Sequence, residues 1–204
     1  MLAGAVTLND ADRRRLTTTL GGEGQPRGDA ALSHLATQLQ RLTGATLLGP
    51  HQLAPQLLAS AGAIAGPAVT EPQMAAARLA LMAARQVGAM DLGQAAVVAG
   101  ARVVAAEDVA GTDELLARVA RYHAAGLLGD LAETPVVLGK ACKPQQPLFV
   151  DLPAIGPQTV AGARAAGISV IAVEAGRTLL VDRDQLIEAA AAAEIAILGM
   201  RLDG

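Results

Sequence analysis

Residues 140–157 hold the densest chemistry of the chain: Lys140, Cys142, Lys143, Gln146 and Asp151, interleaved with Pro144, Pro147, Pro153 and Pro157. Two ammonium groups can neutralise phosphate oxygens. A carboxylate can hold a cation or take a proton from water. The stretch follows an apolar run at 134–138 and precedes a helix-like segment from Gln158. It therefore reads as a stiff loop between regular elements, a place where chemistry tends to sit. The same composition also fits a solvated surface connection, with Asp151 as a turn residue. Further candidates lie in Gly111-Thr112-Asp113 and at Glu174. Thr112 or Asp113 equally suits a helix N-cap, and Glu174 a charged strand end. Cys142 between two lysines suits an activated thiol less well than a small buried residue. His34, His51 and His123 are scattered and form no metal-ligand spacing.

The elements that must position these groups follow from periodicity. Asn9 or Asp10 starts a short helix to Leu16, and residues 21–28, rich in glycine, read as a turn or linker. A helix from Asp29 carries Leu32, Leu35, Leu39 and Leu42 at three- and four-residue spacing, with Gly44 as its stop. Residues 45–48 suit a short strand and 51–58 a short helix. Thr70 caps a long alanine-rich helix over 71–87. Residues 94–99 and 102–106 form a hairpin about Gly100-Ala101. Helices follow at 111–125, 158–166 and 183–193, the last capped by Asp182. Strands follow at 135–138, 168–173, 178–181 and 195–198, the last closing the sheet. Alternating strands and helices predict an α/β domain, a layered mixed sheet with flanking helices. The hairpin argues against a purely parallel sheet. Residues 1–69 read as a small, mainly helical piece and residues 70–204 as the α/β domain.

Composition removes several function classes. The net charge is −3, and Tyr122 and Phe149 are the only aromatics, so a nucleic-acid partner is not expected. The single cysteine forbids an intrachain disulfide and suits a reducing cytoplasm. No strongly apolar run of 18 residues is present, and residues 1–12 lack the basic start of a signal peptide.

Four segments occur in order: Gly88-Ala89-Met90-Asp91-Leu92-Gly93-Gln94-Ala95, Gly111-Thr112-Asp113-Glu114-Leu115, Asp151-Leu152-Pro153-Ala154-Ile155-Gly156-Pro157 and Ile171-Ala172-Val173-Glu174-Ala175-Gly176-Arg177. Together, across residues 70–201, they resemble the C-terminal catalytic domain of the LpxI-type UDP-2,3-diacylglucosamine pyrophosphatases. The resemblance implies a Mg²⁺-dependent hydrolase of lipid A synthesis. It would split UDP-2,3-diacylglucosamine into UMP and 2,3-diacylglucosamine 1-phosphate (lipid X). It implies Asp151 as catalytic or metal-binding residue and Asp113 as a second metal contact. Lys140, Lys143, Gln146, Thr112 and Glu174 would contact substrate. A cytoplasmic protein associated with a membrane surface, or a homodimer, would suit that role.

Two departures support an alternative. The family tends to carry Asp, Arg and Glu where this chain has Pro147, Phe149 and Ala110. The strand and glycine-rich turn that open the family's first domain are not found, so residues 29–66 resemble only that domain's end. The alternative is a truncated, degenerate homologue that binds a ligand or partner without hydrolysis.

Overall fold

The computed structural model describes residues 9–11, 14, 29–145, 147–149 and 151–202. The expected turn at 21–28 lies outside the described residues, as does Gln146. The chain divides into two compact units, Met1–Leu47 and Leu48–Gly204. The first contains helix α1 (Asp29–Thr43), which stops where Gly44 takes φ 68° and donates its N–H to Gln40 O. The remaining elements belong to the second unit. Residues 45–49 carry no strand, contrary to expectation. Strand β1 (Gly62–Ala65) lies in the second unit and hydrogen-bonds into the main sheet.

The short helix α2 (Pro50–Leu53) and a 3₁₀ turn precede β1. Helix α3 spans Glu71–Ala89. Its start is a capping box. Thr70 Oγ1 accepts from Gln73 N, and Gln73 Oε1 accepts from Thr70 N at 2.9 Å. The hairpin follows as β2 (Ala95–Ala99) and β3 (Arg102–Ala106), turning through Gly100 at φ 59°, where glycine avoids the Cβ clash. Then come α4 (Gly111–Ala124), β4 (Val136–Lys140), β5 (Ala154–Ile155), α5 (Pro157–Ala165), β6 (Val170–Glu174), β7 (Leu179–Leu180), α6 (Arg183–Ala192) and β8 (Ala196–Met200).

Six strands form one sheet in the order β1-β8-β6-β4-β2-β3. β4, β6 and β8 run parallel, while β2 is antiparallel to both β3 and β4. The expected last strand, β8, is thus internal, and β1 forms the edge beside it. β5 and β7 pair in a separate parallel ribbon. Alternate strand residues feed two cores. Ala96, Val98, Val137 and Ala172 pack under α3, and Val97, Leu138, Ile171 and Ile197 belong to the core on the opposite face. The near-continuous apolar strands are therefore buried on both sides.

Alanine in α3 brings helix backbone onto the sheet. A Cβ built on Gly139 would stand 2.3 Å from Ala80 carbonyl carbon. Gly139→Ala must push α3 away from the strand that ends in Lys140. It should cost about 1–3 kcal/mol, read as a lower urea midpoint with an unchanged slope. A midpoint equal to wild type would contradict this packing.

Candidate functional site

The parallel strands β4, β6 and β8 end on one edge of the sheet, where β3 also ends and β2 begins. Carboxyl ends of α/β strands are where such folds place ligands. Lys140 is the last residue of β4 rather than a loop residue, because the strand runs two residues beyond the expected end. It is only 6% exposed. Its Nζ donates to Thr112 Oγ1 at 2.9 Å, and Thr112 Oγ1 donates to Glu107 Oε1 at 3.2 Å. Burial lowers the Lys140 pKa from its ordinary value of 10.5, while Glu107, Asp113 and Asp151 each act to raise it. Three carboxylates therefore share the field of one buried ammonium. Among the described residues, Lys140 makes no direct ion pair with any of them.

Thr112 and Asp113 sit inside the first turn of α4 and do not cap it. Asp108 organises that turn: its Oδ1 accepts from Ala110 N at 2.9 Å and its main-chain oxygen from Gly111 N. Ala110 N–H and Arg118 hold the Asp108 carboxyl below the usual range. Released from capping, Asp113 is exposed at a helix N-terminus, where the dipole favours an anion. It also borders a cleft of about 440 Å³ with residues 154–159 and Asp182. Asp182, expected to cap α6, takes φ 48° and makes no side-chain cap bond.

The loop after Lys140 is tied down at three points. Cys142 N donates to Glu174 Oε2 at 2.9 Å, Lys143 Nζ pairs with Asp91 Oδ1 at 2.9 Å, and Gln145 Nε2 donates to Gly88 O. Beyond it, Leu152 and Pro153 are buried, and Pro153 O accepts from Leu179 N at 2.8 Å. Asp151 is left exposed immediately before this anchor. The structure thus brings Lys140, Thr112, Asp113 and Asp151 together. It gives Lys143 and Glu174 internal partners instead. Glu174 is buried, and its second oxygen lies 3.5 Å from Arg177 Nε. Cys142 is buried, in keeping with a packing residue.

Sequence reading missed Glu107, which is 8% exposed and accepts from both Gln94 N and Thr112 Oγ1. Its signal was a carboxylate directly after a strand and five residues before Thr112. The Gln94 side-chain oxygen is buried without a hydrogen-bond partner among the described residues.

No three His, Cys, Asp or Glu side chains converge on a common point among the described residues. Mg²⁺ commonly takes one or two carboxylates and shares its remaining positions with water and substrate phosphates. Asp113 and Asp151, two exposed carboxylates that both act on Lys140, are the residues that could hold such an ion.

Among the described residues no helix is long and apolar enough to cross a membrane. The sequence model of the LpxI C-terminal domain matches residues 60–198. The UDP-2,3-diacylglucosamine pyrophosphatase LpxI of Caulobacter vibrioides (strain ATCC 19089 / CIP 103742 / CB 15) is 37% identical over 174 residues. The alignment covers 85% of this chain but 62% of that relative. The matched region contains β1 to β8 almost entirely, with the lysine, the two aspartates and both glutamates at the sheet edge. The chain belongs to the LpxI C-terminal domain family.

Proposed function

We propose that this chain hydrolyses UDP-2,3-diacylglucosamine to UMP and 2,3-diacylglucosamine 1-phosphate, a step of lipid A synthesis. The observation that carries the reading is Lys140: a buried ammonium at the carboxyl edge, bonded to Thr112 and without a direct carboxylate partner among the described residues. Such a group has N–H donors left for an anion. The relative's name supplies the substrate class, a nucleotide pyrophosphate.

Lys140 would hold an oxygen of the pyrophosphate, with Thr112 fixing the direction of its amine. Asp151 would accept the proton of the attacking water. Water oxygen bonds to one phosphorus while that phosphorus loses its bond to the bridging oxygen, which leaves with the other product. Mg²⁺ held by Asp113 and Asp151 would supply positive charge that screens the phosphates. Two acyl chains would hold the substrate in a bilayer, and the protein would then work at a membrane surface. The test is UMP release from UDP-2,3-diacylglucosamine with added Mg²⁺. Release well above a protein-free control is expected. Background release from folded protein would favour binding without hydrolysis.

The lowered Lys140 pKa gives a pH signature. Between its folded pKa and 10.5, the native lysine has lost a proton that the unfolded chain still holds. The native state then binds fewer protons, so this group's contribution to stability rises with pH in that window. Phosphate binding needs the charged form, so kcat/KM should fall over the same window. Alkaline loss of kcat/KM without loss of folded protein is the expected result. Parallel loss of both would remove Lys140 as the cause.

A further inference from the structure

We infer that Glu107 is a positioning residue. It fixes Thr112 and, through that hydroxyl, holds the Lys140 ammonium aimed and charged at the sheet edge. The inference rests on the proposed reading of that edge as a phosphate site, and it extends that reading to a residue that touches no substrate.

The geometry is a chain of three side chains. Lys140 Nζ donates to Thr112 Oγ1 at 2.9 Å, and that hydroxyl donates its one hydrogen to Glu107 Oε1 at 3.2 Å. A threonine hydroxyl has a single proton, so bonding to Glu107 leaves its lone pairs facing the lysine. Without the carboxylate, the hydroxyl hydrogen is released to turn toward Nζ. Glu107 is itself fixed. Its Oε2 accepts from Gln94 N at 3.2 Å, and its own N–H donates to Ala95 O at 2.8 Å, extending the β2–β3 ladder. Gly93 packs against it so closely that a Cβ there would meet Glu107 Cβ at 2.7 Å and Glu107 O at 2.8 Å. The backbone at Gly93 is thus shaped to receive this side chain.

Charge completes the argument. Glu107 and Lys140 are 8% and 6% exposed, so each would be a costly isolated ion. The charged groups acting on Lys140 are Glu107 after β3, Asp113 on α4 and Asp151 in the loop before β5. Of these, only Glu107 is buried; Asp113 and Asp151 are exposed. Glu107 is therefore the carboxylate that stays beside the ammonium when substrate arrives and the exposed pair turns to other partners.

The test is a double-mutant cycle on the full chain with Glu107→Gln, Lys140→Met and both together. It is read first as Tm without substrate. Each single change strands one buried charge, so each should lower Tm on the order of 10 °C. The double variant should lose much less than the sum. Additive losses would overturn the inference, whatever the activities are. The second readout is kcat/KM for UMP release. Glu107→Gln should lower it about tenfold to a hundredfold, the range found when a partner orienting a ligand-binding side chain is removed. In the Lys140→Met background the same change should add nothing. A further loss there would show that Glu107 acts by another route. Coupled Tm values with UMP release unaffected by Lys140→Met would leave the charge pair standing and overturn the phosphate-site reading instead. Should Glu107→Gln fail to fold, Thr112→Val takes its place in the same cycle. It removes the bridging hydroxyl, keeps both charges, and must again be non-additive with Lys140→Met.

Discussion

On the proposed reading, Asp151→Asn is expected to lower the rate of UMP release by about 10²–10⁴-fold, the span attributed to a positioned general base, and to leave the fold intact. The side chain is exposed and stands just ahead of the buried Leu152 and Pro153. Its hydrogen-bonding requirement is therefore small, and an amide of the same shape should not disturb the β5–β7 ribbon that begins three residues on. The amide keeps an oxygen but loses the negative charge that water activation and a hard cation both need. Substrate affinity should persist, since Lys140 and Thr112 are untouched. Circular dichroism, binding and single-turnover release separate the cases. Full activity in the variant would remove Asp151 from the chemistry and leave Asp113 as the remaining exposed carboxylate beside Lys140.

Lys140→Met comes next in size. A preorganised donor to developing phosphate charge contributes about 10²–10³ in rate. Lys140 has the setting for that role: strand-end rigidity, burial, and a hydroxyl fixing its direction. Lys143 offers the contrast. Its amine is already paired with Asp91 at 2.9 Å, so Lys143→Met should loosen the loop and cost less in kcat/KM. If Lys143→Met proved more damaging than Lys140→Met, the phosphate would have to lie nearer the Asp91 side of the loop.

Much of this organisation is visible in the amino-acid order, for reasons that differ by element. Thr70 and Gln73 announce α3 because a capping box is a local bond pair, and Gly100 announces the hairpin because its positive φ is a local requirement. β6 is legible because a strand covered on both faces must be continuously apolar. β1 was not, because Gly62-Ala63-Ile64-Ala65 is short, and its place is given by pairing with β8, more than 130 residues away. Residues 45–48 look similar yet form no strand. The aspartates and Lys140 stood out by type, and the resemblance in four ordered motifs named the family that the comparisons show. Their division of labour was less visible. Thr112 and Asp113 looked like caps because capping uses the same residue types as catalysis, and only the Asp108 turn ahead of them shows that neither caps α4. The internal partners of Lys143 and Glu174, Asp91 and the Cys142 N–H, carried no signal in the sequence. Glu107 carried no motif, and its burial beside Lys140 comes from strand pairing across the sheet.

The most direct test of the account is a crystal structure of Asp151→Asn with UDP-2,3-diacylglucosamine and Mg²⁺. A pyrophosphate oxygen is expected within about 3 Å of Lys140 Nζ, with Asp113 on the side where the cation sits and the Thr112–Glu107 bond unbroken. Pyrophosphate bound away from the carboxyl edge of β4, with Lys140 still bonded to Thr112 and facing no phosphate, would contradict it.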